Sequence, residues 1–365
     1  MKQYLHIIQK ELPTVSEEDL FIPIRQTHID SLDIVVIRVT LEKHFGIEVS
    51  DAVWYQYQTL SEALEYFHKH KSEQSSLNKT DANEVTNTES VEIRMPQMAN
   101  GALSESWLLK YLGDKHWFLL SEGFNKKSSE FKDDNGNRLY ATFVRINYST
   151  SALNNFKENE IIKFNSKIEG FGSNTFISCI NGKSSGNEIN ATLLTTFSIR
   201  LNDNNNEINK GNVDLIPNSI GQLSKTPIHL NDYRLLRKGL LDEIPSDFGV
   251  FPNTDNVVFT CEYDVNPYYD INGVGLLYFA AYPIVSDSCC LKYFKDYKSY
   301  FHQTIYRDLF YFANCNPTDK IIFQLNFIDQ KENIIRTLSS LYRQSDNKLL
   351  AKILTVKEIS NGNKH

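Results

Sequence analysis

A chain of 365 residues is too long for one ordinary core, and its net charge of −7 argues against nucleic acid as its main partner. An apolar share of 41% and a charged share of 23% fit a water-soluble globular protein, and no apolar run approaches the roughly 20 residues that span a bilayer. The opening Met1-Lys2-Gln3-Tyr4-Leu5-His6 lacks a secretory leader's apolar stretch, and five cysteines (Cys179, Cys261, Cys289, Cys290, Cys315) form no CxxC pair, so buried free thiols in the cytoplasm are expected.

The charge is uneven. Residues 1–75 hold twelve Asp or Glu against seven Lys or Arg, so they carry most of the excess. Leu5, Ile7 and Ile8 predict a short helix ending before Pro13. A loop follows, with Leu20, Phe21, Ile22 and Ile24 as its apolar pins. Leu32, Val35, Val36, Val39 and Phe45 recur at helical spacing and predict a long helix that Gly46 stops. A last helix is expected from Ser61 to His68.

Asp30 and Ser31 stand at the start of the long helix. Either residue type caps a helix well, so alone the pair would read as an N-cap. With a helix before it, a long loop, a helix after it and an acidic surface, the region resembles an acyl or peptidyl carrier protein over about residues 3–70. Asp30-Ser31-Leu32 matches the attachment motif. The resemblance implies an all-α four-helix bundle whose Ser31 carries covalent 4′-phosphopantetheine, installed by a phosphopantetheinyl transferase. It also implies that acidic residues such as Asp33, Glu42, Glu48 and Asp51 meet basic partner enzymes.

Residues 73–90 are polar and poor in aliphatic side chains, and read as a flexible linker after a carrier domain at 1–72. The remainder reads as a duplication. Asn100-Gly101 followed by a helix-like run from Leu103 to Leu112 and by Gly113-Asp114 matches Asn272-Gly273 followed by Gly275 to Pro283 and Ser286-Asp287. Tyr140–Ile146 pairs with Tyr306–Phe312, and Glu160–Phe164 with Asp319–Phe323. Two further strand-like runs follow in each copy, 174–180 and 191–201 in the first, 334–342 and 348–356 in the second. One buried helix wrapped by antiparallel strands is the hot-dog arrangement. The expected fold is therefore an α+β double hot-dog, 91–215 and 216–365, with its sheets side by side. A connecting helix is expected near Asn231 to Leu241.

The run from Met95-Pro96-Gln97-Met98-Ala99-Asn100-Gly101 through Trp107 to Gly113-Asp114-Lys115-His116-Trp117 is distinctive. So is Asn266-Pro267-Tyr268-Tyr269-Asp270-Ile271-Asn272-Gly273. Both resemble polyketide-biosynthesis proteins related to the leinamycin-pathway bifunctional acyltransferase/decarboxylase, nearer to its uncharacterised branch. That enzyme family takes methylmalonyl from coenzyme A, loads it onto a carrier protein and decarboxylates it to a propionyl thioester. The resemblance implies an acyl-CoA substrate and polyketide synthase or other carrier-dependent partners.

Decarboxylating such a thioester needs stabilisation of an enolate oxygen and a poorly solvated carboxylate. Asn100-Gly101 and Asn272-Gly273 are placed where helix N-termini could present backbone N–H groups; the same pairs also make plain tight turns. By resemblance Tyr140 is the active tyrosine, against an ordinary strand aromatic, and Ser104 would orient the carboxylate. Asp270 reads as a general acid/base or as a capping aspartate. His116 and His229 read as acid/base groups or as structural and surface residues. No metal spacing, P-loop or dinucleotide fingerprint appears. A hot-dog thioesterase or dehydratase acting on the tethered chain, and a non-catalytic docking module, are the alternatives. A homodimer is among the expected assemblies.

Overall fold

Asp30 sets the geometry of the N-terminal unit. Its Oδ1 accepts hydrogen bonds from the N–H groups of Leu32 at 2.8 Å and Asp33 at 2.9 Å, while Asp33 Oδ2 accepts from Asp30 N–H at 3.0 Å. This reciprocal capping box starts the long helix at Ser31. In the computed structural model, which describes residues 4–70, 84–133, 135–200, 204–211, 219–295 and 302–359, the unit comprises α1 (Leu5–Gln9), α2 (Ser31–Phe45), α3 (Asp51–Trp54) and α4 (Leu60–His70). Gly46 closes α2 in the left-handed conformation. Ile8, Leu20, Ile37, Leu41, Leu64 and Phe67 form the core, each fully buried side chain contributing about 1.5–3 kcal/mol. Phe21 and Ile22 differ from expectation: they are 51% and 37% exposed, and the loop is pinned through Leu20.

The rest of the chain is organised by one antiparallel sheet with a near-palindromic strand order. Its long strands are β1 (Val85–Glu92), β2 (Tyr140–Thr150), β3 (Ile161–Phe171), β4 (Thr175–Ser184), β5 (Asn187–Arg200), β6 (Phe259–Asp264), β7 (His302–Tyr311), β8 (Lys320–Lys331), β9 (Ile334–Arg343) and β10 (Lys348–Ile359). They lie in the order β1-β3-β4-β5-β2-β7-β10-β9-β8-β6. The two copies meet at β2 and β7, with Ile146 opposite Leu309. The chain is thus a helical N-terminal unit followed by a double hot-dog.

Strand β1 corrects the reading of residues 73–90 as linker, because Val85 to Ser90 are sheet edge paired to β3. Its side chains alternate between partly covered and exposed, so its sequence stays polar. Residues 73–83 lie outside the described residues.

Strand alternation sends successive side chains to opposite faces. Leu193, Leu309 and Ile353 pack with α5 (Glu105–Phe124) and α7 (Ala281–Phe294) in one core. Their neighbours Leu194, Phe310 and Leu354 pack on the other face with Leu230, Tyr233 and Leu236 of α6 (Ile228–Arg237). That second core also takes Leu32, Val35 and Val36 of α2, so α2 is seated on the hot-dog. Gly172 permits the contact: a Cβ there would stand 2.7 Å from Val35 Cγ1, and its φ of +64° suits glycine.

Both central helices depart from the repeat as read. Helix α5 runs on to Phe124, and α7 starts only at Ala281 because Asn272 Oδ1 accepts from the N–H groups of Val274 and Leu276, both at 3.0 Å, and holds the preceding stretch as a loop. Pro283 falls in the first turn of α7, where its missing N–H has no intrahelical partner to lose. Buried ion pairs stitch the copies together. Arg145 grips Asp308 at 2.9 and 2.7 Å, and the fully buried Arg307 pairs with Glu105 at 2.7 Å and Asp287 at 2.6 Å. All five cysteines are free thiols, but only Cys289 and Cys315 are buried, fewer than expected. Among the described residues no helix is long and apolar enough to cross a membrane.

Candidate active site

A cavity of about 690 Å³ opens where α2, the two hot-dog copies and α6 come together. Ser31, Val35 and Arg237 line it from the carrier-facing side, and Gly113, Phe143 and Phe279 from the core of the central helices. Helix α5 needs glycine at 113 because a Cβ there would lie 2.2 Å from Phe279 Cζ. The second copy's aromatic ring therefore packs directly against the first copy's helix backbone.

Tyr140 begins β2 and lines this cavity. Its ring lies beside two guanidinium groups, Arg138 at 5.3 Å and Arg200 at 6.0 Å from the centroid. Arg138 and Lys348 line the cavity too, which gives it a cationic rim suited to a carboxylate or phosphate. Asn272 and Gly273 are also on the wall. They do so from a loop, eight residues and more ahead of α7, so they supply no helix N-terminus. Asn314 fixes the far end of that loop. Its Oδ1 accepts from Leu277 N–H at 2.9 Å and its Nδ2 donates to Leu277 C=O at 3.1 Å.

Four other candidates stand elsewhere. Asn100 and Gly101, with φ of 52° and 70°, form the tight turn between the short paired strands Met98–Ala99 and Ala102–Leu103, ahead of α5. Asn100 borders a separate cavity of about 170 Å³. Ser104 is the N-cap of α5, its Oγ accepting from Trp107 N–H at 3.3 Å. Asp270 is 3% exposed and accepts from Asn266 N–H at 2.7 Å and from the Tyr263 hydroxyl at 3.0 Å, a carboxylate that closes the 266–270 turn outside the cavity wall.

Neither histidine is placed for proton transfer at the cavity. His116 is fully buried, its ring nitrogens 2.7 Å from Ser178 Oγ and 2.7 Å from Thr195 Oγ1, and burial pushes its pKa down to about 3. Burial, followed by the neighbouring Arg145 charge, also lowers His229.

Among the described residues Asp114 is the one carboxylate on the cavity wall, and it was not singled out from sequence. It is exposed, whereas its repeat counterpart Asp287 is held by Arg307 and Lys357. An acidic residue recurring at matched positions of the two repeats, Asp114 and Asp287, was the available signal. The α6 contribution was also missed. Arg234, Arg237 and Lys238 recur at i, i+3 and i+4, one helix face, and that face meets the acidic start of α2. Asp33, fully buried, accepts from Arg234 Nε at 2.9 Å and Nη2 at 2.7 Å, and from Lys238. Burial alone would raise its carboxyl. Hydrogen bonds from Lys238, the Asp30 N–H and Arg234 outweigh that and hold it below the usual carboxylate range. Glu42 is engaged inside its own unit by Arg38 at 2.9 Å; the Asp51 side chain lies outside the described residues.

Residues 5–67 match a family model described as a phosphopantetheine attachment site. The N-terminal unit is thus a carrier domain, which implies covalently attached 4′-phosphopantetheine. Partly exposed Ser31, at the start of α2 and on the cavity wall, fits such a group. The fold resembles a structure described as an oleoyl thioesterase from Lactobacillus plantarum, with a TM-score of 0.55 at 12% identity, covering 76% of this chain and 98% of that one. It also resembles a 12:0-ACP thioesterase from Umbellularia californica, with a TM-score of 0.51 at 9% identity, covering 75% of this chain and 94% of that one. At such identities the likeness establishes the fold.

Proposed function

We propose that this chain is a self-loading acyltransferase/decarboxylase of polyketide-type biosynthesis. It would take a malonyl- or methylmalonyl-type group from coenzyme A, place it on the arm borne by its own Ser31, and release carbon dioxide through a thioester enolate. The observation that carries the reading is the shared cavity: Ser31 and Tyr140 face the same space. When bound, 4′-phosphopantetheine supplies a thiol that accepts the acyl group as the coenzyme A thiol leaves.

The chain's own residues would bind and orient. The Tyr140 hydroxyl is the candidate donor to the thioester oxygen as it gains charge when the C–C bond to the carboxylate breaks. Arg138 and Lys348 would hold the carboxylate. Phe143 and Phe279 would line the apolar side of the acyl group, and a proton from solvent reaching the open side of the cavity would complete the product at the enolate carbon. Residues 1–70 would act as the carrier domain and the two copies as the catalytic double hot-dog. Further partners would be a phosphopantetheinyl transferase and downstream carrier-dependent enzymes.

A second reading rests on Asp114 and on the fold's likeness to thioesterases. A carboxylate on the wall could activate water against the tethered acyl group, giving hydrolysis. Mass spectrometry of phosphopantetheinylated protein incubated with malonyl-CoA or methylmalonyl-CoA separates the two. Acyl gain followed by loss of carbon dioxide supports the first, and free acid supports the second. An arm that gains no acyl group from either thioester refutes self-loading.

A further inference from the structure

The contact between α6 and the start of α2 carries an unbalanced charge. Helix α6 and the residue after it bring Arg234, Arg237 and Lys238 to a turn holding two carboxylates, Asp30 and Asp33. Asp33 is saturated by Arg234 and Lys238. Arg237 is left with a looser arrangement. Its Nη1 is 3.9 Å from Asp30 Oδ2, its side chain is 43% exposed, and it also hydrogen-bonds the Tyr233 hydroxyl. Asp30 is already committed, through Oδ1, to the N–H groups of Leu32 and Asp33. Three cations against two carboxylates leave one positive charge in excess beside Ser31.

We infer that Arg237 is the docking residue for the phosphodiester formed when Ser31 is modified, so that modification tightens the seating of the carrier on its own hot-dog. The chemistry matches in sign and geometry. Modification by coenzyme A joins the serine Oγ to the pantetheine phosphorus as the pyrophosphate P–O bond breaks, adenosine 3′,5′-bisphosphate leaves and the hydroxyl proton is lost; the phosphodiester left on the serine carries one negative charge, which balances the excess. Arg237 lines the same cavity as Ser31, and its planar fork of donors suits phosphate oxygens. Asp30 would release Arg237 at small cost, because a partly exposed pair at such a separation contributes little. Arg237 would thus be a positioning residue that aims the arm along the cavity toward Tyr140.

The inference rests on Ser31 being the attachment point, and its test keeps the two separate. The full chain is prepared unmodified and after treatment with a phosphopantetheinyl transferase and coenzyme A, with mass spectrometry reporting the adduct. Hydrogen exchange of the α2 and α6 amides then reads the docking. A charge-assisted hydrogen bond contributes enough to slow local opening by roughly tenfold to a hundredfold. Modified wild type should show that slowing relative to unmodified protein. Arg237→Ala should abolish the difference between its own modified and unmodified forms, and Arg237→Lys should keep part of it. The ³¹P resonance of the modified protein should move in Arg237→Ala. Equal exchange in modified and unmodified wild type, or a difference that survives Arg237→Ala, overturns the docking role alone. Absence of any adduct on Ser31 overturns the attachment reading with it.

Discussion

Asp33 and Arg234 form a buried, two-pronged ion pair between the carrier domain and the hot-dog, at 2.9 and 2.7 Å. Asp33 stands two residues after Ser31, so the pair fixes where the serine faces. Breaking one side of a buried pair leaves the other charge without compensation, a loss of about 3–5 kcal/mol. Asp33→Asn should weaken docking by that order while leaving the carrier fold intact. Hydrogen exchange of the α6 amides checks this, and unchanged protection would refute the latch.

The same pair gives docking a pH dependence. The folded Asp33 carboxyl lies below its ordinary value, since its hydrogen-bond partners outweigh burial. Its contribution is therefore present above the ordinary carboxylate range, near pH 4, and is lost as pH falls through the lowered value. Acid titration of the wild type should release the carrier before the hot-dog unfolds. A single common transition would contradict this.

His116 makes a different prediction. An unfolded histidine gains a proton near pH 6.5, whereas buried His116 resists protonation down to about pH 3. Stability is thus fully present above pH 6.5 and falls by up to about 1.4 kcal/mol per pH unit below it. His116→Gln should flatten the dependence of the thermal midpoint on pH between 6.5 and 3. Parallel curves for variant and wild type would assign the loss to other groups.

Tyr140→Phe removes only a hydroxyl on the cavity wall. If that hydroxyl meets the developing oxyanion, acyl chemistry should slow by about 10²–10³-fold with the thermal midpoint unchanged. Single-turnover rates on the modified protein decide it, and an unaltered rate removes Tyr140 from the chemistry.

Asp114→Asn separates the two readings of the cavity. Loss of free acid release with retained loading would mark Asp114 as a hydrolytic base. Loading and decarboxylation within a few-fold of wild type, with no free acid from either protein, would leave it a wall residue. Product analysis by mass spectrometry reads both.

The sequence by itself determined the elements and their duplication, because these follow from local rules. Helical spacing marked α2, alternation marked the long strands, and the repeated helix-then-strands order implied two hot-dog copies. Asp30-Ser31-Leu32 was legible because a modification motif is contiguous. Strand β1 was not, since a sheet edge buries little and its composition resembles a linker.

What only the tertiary structure decided was which residues meet. Asn100-Gly101 and Asn272-Gly273 look alike in sequence, yet one turns a short hairpin away from the main cavity and the other lines it. Ser104 Oγ is spent on the Trp107 N–H, and Asp270 Oδ2 on the Asn266 N–H and the Tyr263 hydroxyl. The basic face of α6 gained meaning only when folding set it against Asp30 and Asp33. Pairings between residues 200 positions apart are fixed by how faces pack and which buried charges must be compensated, and neither is written in any local stretch of chain.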